Sequence, residues 1–252
     1  MPAPAHVAFG GAFAVFRDRA LAGAPEGNLA LAEVASGSAD GLVSQATAEN
    51  MIRVPDTVEP DLAVLIPVLA AALAAWSGLE LELGEAAVVI SDDANVSRWL
   101  AVAAQWLGGM PIVASTSQQG DLGDDLPEPV CSESPDGLVE SIRRGTMTRS
   151  GWTGIECTGR AEMLEVMLDS VPRWGRIALA GQSPNPATID FYNNVHRKGV
   201  RLSAASLSTA AVFRARENSP IRQFATRAAR ILAHPALGAR CRSLSTQPGR
   251  HA

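Results

Sequence analysis

The chain alternates short apolar runs with segments of helical spacing from Glu85 onward, and this alternation restricts the possible folds more than any other feature. Ala86–Ile90 is an apolar run without polar interruption, as expected of a strand that is buried on both faces. Helical spacing follows at Val96–Leu107, and a second apolar run follows at Pro111–Ala114. Because strands that alternate with helices are joined by right-handed crossovers, we expect an α/β fold with a doubly wound parallel sheet.

The same alternation continues along the chain and predicts the later elements. Strands are expected at Gly154–Cys157, Arg176–Ala180 and Val200–Ala205, and helices at Leu138–Arg144, Ala161–Leu168 and Ile221–Leu232. Before Glu85, short apolar runs are separated by Gly and by Ala-Pro, which is typical of short strands and loops. We therefore predict a small N-terminal region that precedes the main α/β domain.

Several stretches resemble, in chain order, segments of one enzyme family. Gly11–Ala14 resembles the family's "GAFAEY" segment, and Ile52–Asp56 resembles its approach to the nucleotide-binding domain. Glu156–Gly159 and Trp174–Gly181 resemble its "ECTG" and "GGRIVLVG" strands, and Asp190–Gly199 resembles the segment before its last sheet strand. The family is that of the medium-chain (zinc-type) alcohol dehydrogenases, and the resemblance is to its nucleotide-binding half. It implies a Rossmann-like fold.

The resemblance also shows where this chain departs from the family, and the first departure concerns the zinc-binding residues. The family's Cys, His and Glu ligands have no counterparts, because the residues before Glu85 include no cysteine and only His6. The cysteines, at positions 131, 157 and 241, are too far apart for a structural zinc motif. We therefore expect no metal, a remnant of the catalytic-type domain at residues 1–58, and a Rossmann-like domain with a C-terminal helical tail at residues 59–252.

A second departure lies in the loop after the first strand. The family has G-x-G-x-x-G there, which lets the backbone approach the pyrophosphate of the coenzyme. The three glycine positions are Asp92, Ala94 and Ser97 in this chain. Asp92 and Asp93 also place negative charge where an anion would bind, and two unit charges ~4 Å apart repel by roughly 4 kcal/mol at an effective dielectric constant of about 20. We expect no NAD(P) and no other cofactor.

Three carboxylates are candidate catalytic residues because they follow or close strands of the predicted sheet. Ligands of a doubly wound sheet bind outside the carboxyl ends of its strands. Asp92 and Asp93 can act in acid–base chemistry or bind a divalent metal, and they can instead cap the following helix. Glu156 can be a desolvated general acid or base, and it can instead cap the helix that begins near Arg160.

Tyr192 and His196 form a further candidate pair. Imidazole and phenol together can serve a proton-transfer step. The alternative is that these residues pack and direct the chain, since the family carries similar residues there. Cys157 falls within a predicted buried strand and is expected to be inert.

Charge and hydropathy limit the partners. A net charge of −5 argues against a general nucleic-acid or acidic-membrane partner. The most apolar run, Leu62–Trp76, predicts one buried helix, because it is too short for a membrane span and contains Pro67. The N-terminus lacks the pattern of a signal peptide. We expect a cytoplasmic protein that acts on a small molecule. The resemblance implies a homodimer through the strand near Val200–Ala205, since the family's last sheet strand pairs with its twin.

Three functions remain open on this sequence. The first is a non-redox enzyme that catalyses a cyclisation, isomerisation or elimination on a small molecule in bacterial specialised metabolism. The second is a non-catalytic scaffold or ligand-binding partner. The third is an NADP(H)-dependent oxidoreductase with an atypical phosphate-binding loop. Coenzyme affinity distinguishes the third from the first two.

Overall fold

The structure, a computed structural model, describes residues 6–7, 11–17, 29–34, 52–119, 121–123, 125–147, 151–181, 186–208, 212 and 219–246. The chain divides into two compact units. One comprises Met1–Ala74 with Leu207–Gln247, and the other comprises Ala75–Ser206 with Pro248–Ala252. The predicted domain boundary near residue 58 stays a prediction.

The first unit contains an antiparallel sheet. Its strands are β1 (His6–Val7), β2 (Gly11–Arg17), β3 (Leu29–Val34) and β4 (Ile52–Val54), in the order β1-β2-β3-β4. Two helices follow, α1 (Pro60–Ala63) and α2 (Ile66–Gly78). The sequence pattern predicted one helix at Leu62–Trp76. A proline inside one continuous helix would remove a hydrogen bond and clash with the carbonyl group four residues before it. The structure instead has a break at Val64 and Leu65, so that Pro67 is the second residue of α2.

The second unit is built on a six-stranded, all-parallel sheet. Its strands are β5 (Ala86–Ile90), β6 (Met110–Ser115), β7 (Val130–Cys131), β8 (Trp152–Glu156), β9 (Arg176–Leu179) and β10 (Arg201–Ala204). The order is β10-β9-β8-β5-β6-β7. Strands β6 and β7 therefore lie on one side of β5, and β8, β9 and β10 lie on the other side. This arrangement confirms the predicted doubly wound, Rossmann-like fold.

The core of this unit lies on both faces of the sheet. All five residues of β5 are buried, as its uninterrupted apolar sequence predicted. Val88 and Ile90 belong to one apolar cluster with Leu138 of α4 (Pro135–Thr146) and Met163 of α5 (Ala161–Ser170). Helix α3 (Ala94–Trp106) packs on β5 and β6. Buried helices and apolar strands together exclude water from the sheet, which is the main stabilising contribution.

Two further helices belong to the first unit, α6 (Pro220–Ala233) and α7 (Pro235–Thr246). The sequence predicted α6 at Ile221–Leu232 and left α7 unassigned. Arg242 of α7 pairs with Glu59 and Asp61 beside α1, and these contacts raise the pKa of the Arg242 guanidinium. None of the helices within the described ranges is long and apolar enough to cross a membrane.

Candidate functional site

The register of the sheet brings the carboxyl ends of its central strands to one level. Ile90 of β5 pairs with Ala114 of β6 and with Glu156 of β8. The residues that follow these strands therefore emerge together, at the point where the strand order reverses between β5 and β8. Ligands of doubly wound sheets bind at this switch point, so we call this region the switch-point edge.

Asp93 caps helix α3 at the switch-point edge. Its Oδ1 accepts hydrogen bonds from the backbone N–H groups of Asn95 at 2.8 Å and Val96 at 3.1 Å. Ser91, which is buried, supports this turn because its Oγ accepts the N–H of Asp93 at 3.1 Å. The first N–H groups of a helix have no partner within the helix, and a carboxylate acceptor there is favourable. The structure therefore gives Asp93 a capping contact.

Asp92 makes a different set of contacts, across the sheet. Its Oδ1 accepts the hydroxyl of Ser115 at 2.9 Å and the hydroxyl of Thr116 at 3.1 Å. Its Oδ2 accepts a bond from Nη2 of Arg160 at 2.7 Å, and the same Nη2 donates to Oγ1 of Thr116 at 2.8 Å. Asp92 is 37% exposed at its side chain and Arg160 is 42% exposed. These four residues form a polar network that solvent can reach.

Glu156 is the last residue of β8 and is only 2% exposed. Its Oε1 accepts bonds from the backbone N–H and the hydroxyl of Thr158, and its Oε2 accepts the N–H of Gly159 at 3.1 Å. The carboxylate therefore holds the turn that leads to α5. These N–H groups precede the N-cap residue Arg160, and α5 has no side-chain cap, so both predicted roles of Glu156, acid–base chemistry and helix capping, stay predictions.

Cys157 follows Glu156, and its thiol is held in the protonated form. Burial raises its pKa well above the ordinary value, and the charges of Glu156 and Asp93 raise it further. Nucleophilic cysteines need a lowered pKa, so this environment opposes such a role. No group of three or more His, Cys, Asp and Glu side chains that could hold a metal ion occurs within the described ranges.

Tyr192 and His196 lie on a short π-helix, Phe191–His196, which the sequence did not predict. Their rings stack with centroids 5.4 Å apart. The π-helix precedes β10, and a parallel strand begins at the amino-terminal edge of the sheet, opposite the switch-point edge. The structure therefore brings Asp92, Asp93 and Glu156 to one edge and places this pair on the segment that leads to the other.

An open cleft of about 1210 Å³ lies at the amino-terminal edge of the sheet, and we call it the amino-edge cleft. It is lined by residues before β8, β9 and β10 and at the ends of α4 and α5. Sequence reasoning missed it. The sequence feature that could have predicted it is the repeated occurrence of basic residues before the strands. The basic residues that line the cleft are Arg143, Arg144, Arg173, Arg176, Arg197 and Lys198.

Comparison with known proteins gives a likeness in structure. No protein-family model and no curated protein matches the chain in sequence. Among solved structures, alcohol dehydrogenase TADH from Thermus sp. ATN1 is 16% identical with a TM-score of 0.53, over 77% of this chain and 59% of that one. Benzyl alcohol dehydrogenase from Acinetobacter calcoaceticus is 17% identical with a TM-score of 0.53, over 78% and 58%. Galactitol-1-phosphate dehydrogenase from Escherichia coli is 14% identical with a TM-score of 0.57, over 75% and 54%.

These likenesses concern the fold. At identities of 14–17% the similarity confirms the dehydrogenase-type fold that the sequence resemblance implied. The chain spans 54–59% of the length of these three structures. Because fold does not imply function, the activity depends on the residues at the two edges of the sheet.

Proposed function

We propose that this dehydrogenase-type chain acts without NAD(P)(H) and without zinc, and that it catalyses a non-redox proton-transfer step on a small molecule at the switch-point edge. Cyclisation, isomerisation and elimination all belong to this class. The observation that carries the proposal is the position of Asp93, whose carboxylate accepts the N–H groups at the start of α3. In dinucleotide-binding folds those N–H groups bind the pyrophosphate.

The residues at the switch-point edge do not fit a dinucleotide. A pyrophosphate would have to displace the Asp93 carboxylate from Asn95 and Val96 and would meet a second carboxylate, that of Asp92, beside it. Dinucleotide-binding folds also place an acid at the tip of the second strand to bind the ribose. Here Ser115 and Thr116 occupy that tip, and their hydroxyls are already bonded to Asp92. Both features support a role without the coenzyme.

The same network supports proton transfer. Asp92 is the most suitable base of the three carboxylates, since its side chain is 37% exposed while Glu156 is buried and Asp93 caps α3. In an isomerisation, the Asp92 carboxylate takes a proton from the carbon next to a carbonyl group. The electron pair moves onto the carbonyl oxygen as an enolate, which the Arg160 guanidinium stabilises, and the proton returns to another carbon. No oxidant or reductant is needed.

A binding experiment tests the loss of the coenzyme. NADPH and NADH are titrated into the protein by isothermal calorimetry up to millimolar concentration. We expect no saturable heat. Micromolar binding of either coenzyme would overturn the proposal and favour the alternative of an NADP(H)-dependent oxidoreductase with an atypical loop.

A second experiment tests the chemistry. Small hydroxy-carbonyl and unsaturated carbonyl compounds are incubated with the protein in D₂O, and deuterium incorporation is followed by NMR. We expect exchange to fall by about a hundredfold or more in Asp92→Asn, because a positioned base contributes at least that factor. Glu165→Gln on the exposed face of α5 makes the same acid-to-amide change away from the network and is expected to retain the rate. Absence of exchange with every compound would favour the non-catalytic scaffold.

We also propose a homodimer that pairs β10 with its twin. In the described sheet β10 is a terminal strand, with Leu202 and Ser203 half-buried and Arg201 and Ala204 exposed. A terminal strand presents unpaired N–H and C=O groups, and pairing with a second copy satisfies them.

A further inference from the structure

Trp174 adopts an unusual backbone conformation in the amino-edge cleft. Its φ angle is 67°, in the left-handed region that favours glycine. Its N–H donates to the carbonyl of Lys198 at 2.8 Å, and its ring rests on Gly199, where an added Cβ would lie 2.5 Å from the ring. The residue nevertheless remains 77% exposed. The energetic cost of this backbone conformation is not offset by burial of the side chain, which indicates that Trp174 has a role other than packing.

Large apolar residues are exposed at the same edge. Leu83 lies just before β5, and Met110 is the first residue of β6. Met147 follows α4, and Trp174 lies just before β9. In the described part of the chain, the other exposed large apolar residues are those at the start of the π-helix. Met147 and Trp174 line the amino-edge cleft, and exposed apolar residues surrounded by charges are typical of an interaction site.

The charges of the cleft favour an acidic occupant. Six basic and four acidic side chains line it. Two of the acids are in ion pairs, Glu85 with Arg176 and Glu140 with Arg144, which leaves four basic and two acidic groups. Among the described residues, no carboxylate lies within ion-pair distance of Arg173 or of Arg197. Arg197 donates from Nη1 to the side-chain oxygen of Asn193 at 3.1 Å. The cleft is thus locally basic in a chain of net charge −5.

The dimensions favour a chain segment over a small molecule. The cleft is open, has a volume of about 1210 Å³, and ten of its twenty lining residues are charged, whereas ordinary small-molecule sites are enclosed and lined mainly by apolar side chains. We propose that the amino-edge cleft binds an acidic segment of a partner protein. An apolar side chain of the segment packs on the ring of Trp174, and its carboxylates pair with Arg173 and Arg197. This binding site is independent of the chemistry proposed for the switch-point edge.

Fluorescence anisotropy with a defined probe tests the proposal. The probe is a short fluorescein-labelled peptide of alternating glutamate and leucine, and the comparison peptide alternates lysine and leucine. We expect saturable binding of the acidic peptide that weakens as salt is added, and no binding of the basic one. Trp174→Gly removes the ring while glycine accepts the left-handed backbone, so folding is retained, and affinity should fall about tenfold or more. Arg173→Glu should have a similar effect.

A matched control and a competing ligand make the outcomes decisive. Arg230→Glu makes the same charge change at an exposed residue of α6 that does not line the cleft, and it should leave the affinity unchanged. An equal loss in Arg230→Glu would overturn the proposal, since net charge would then explain the binding. Failure of the acidic peptide to bind the wild-type protein would also overturn it. A labelled single-stranded oligonucleotide that binds more tightly than the peptide would assign the cleft to nucleic acid instead.

Discussion

Replacing Asp93 with alanine should destabilise the α/β unit by an amount that the geometry allows us to calculate. The substitution removes two hydrogen bonds, from Asn95 and Val96 to Oδ1, and it removes a negative charge from the start of a thirteen-residue helix. Loss of an N-cap costs about 1 kcal/mol, and loss of the charge at the helix N-terminus costs roughly 0.3–1 kcal/mol. We therefore expect Asp93→Ala to lower the free energy of unfolding by about 1–2 kcal/mol.

Asp93→Asn is the matched variant, because asparagine caps a helix as well as aspartate does but carries no charge. It should lose only the contribution of the charge, roughly 0.3–1 kcal/mol, and that loss should diminish in high salt. Urea unfolding followed by circular dichroism measures both variants. With a slope of about 2 kcal/mol per molar urea, Asp93→Ala shifts the midpoint by roughly 0.5–1 M. Equal stability of Asp93→Ala and Asp93→Asn would refute the capping contact, and with it the observation on which the proposed loss of coenzyme binding rests.

Three other predictions address thiols, packing and assembly. Cys131 is exposed, whereas burial raises the pKa of Cys157 well above its usual range and that of Cys241 to about 11. A thiol reagent at pH 8 should therefore label only Cys131 in the native protein and all three cysteines after unfolding. Gly181→Ala should lower the free energy of unfolding in urea by roughly 1–3 kcal/mol, because the added Cβ would lie 2.1 Å from a backbone nitrogen. Gly78→Ala adds a Cβ that meets nothing within 4 Å, so its effect should be neutral or stabilising. Similar free energies of unfolding for the two variants would contradict this packing. Sedimentation at micromolar concentration should give the mass of a dimer, and a monomer would count against pairing through β10.

Cys241 makes one contribution to the pH dependence of stability. Burial raises the pKa of its thiol, and Arg240 partly opposes this increase. The folded state keeps this thiol protonated above pH 9, where the thiol of the unfolded chain ionises. Its contribution to stability is therefore fully present below pH 9 and is lost progressively as pH rises to about 11. Cys241→Ala should flatten this part of the stability profile, and an unchanged profile would contradict the assignment.

Local sequence patterns predicted most elements of the α/β unit and the parallel connection of its strands. The apolar run Ala86–Ile90 predicted a strand that is buried on both faces, and the strand is found with those limits. Strands β6, β8, β9 and β10 fall within two residues of their predicted positions. Such patterns are local, since the period of apolar residues shows which faces are buried, and the handedness of crossovers then restricts the topology. The strand β7 was missed because two residues in a polar loop carry no period.

Which side chains meet depends on the tertiary fold. Arg160 is sixty-eight residues from Asp92 in the chain, and their ion pair exists because β5 and β8 are neighbours in the sheet. The fold likewise places Tyr192 and His196 on the segment before β10, which leads to the edge of the sheet opposite the three carboxylates. The amino-edge cleft likewise depends on residues from several loops that share one edge, with Trp174 seated on Gly199. Contacts of this kind depend on strand order and loop conformation, which the local period of apolar residues does not encode.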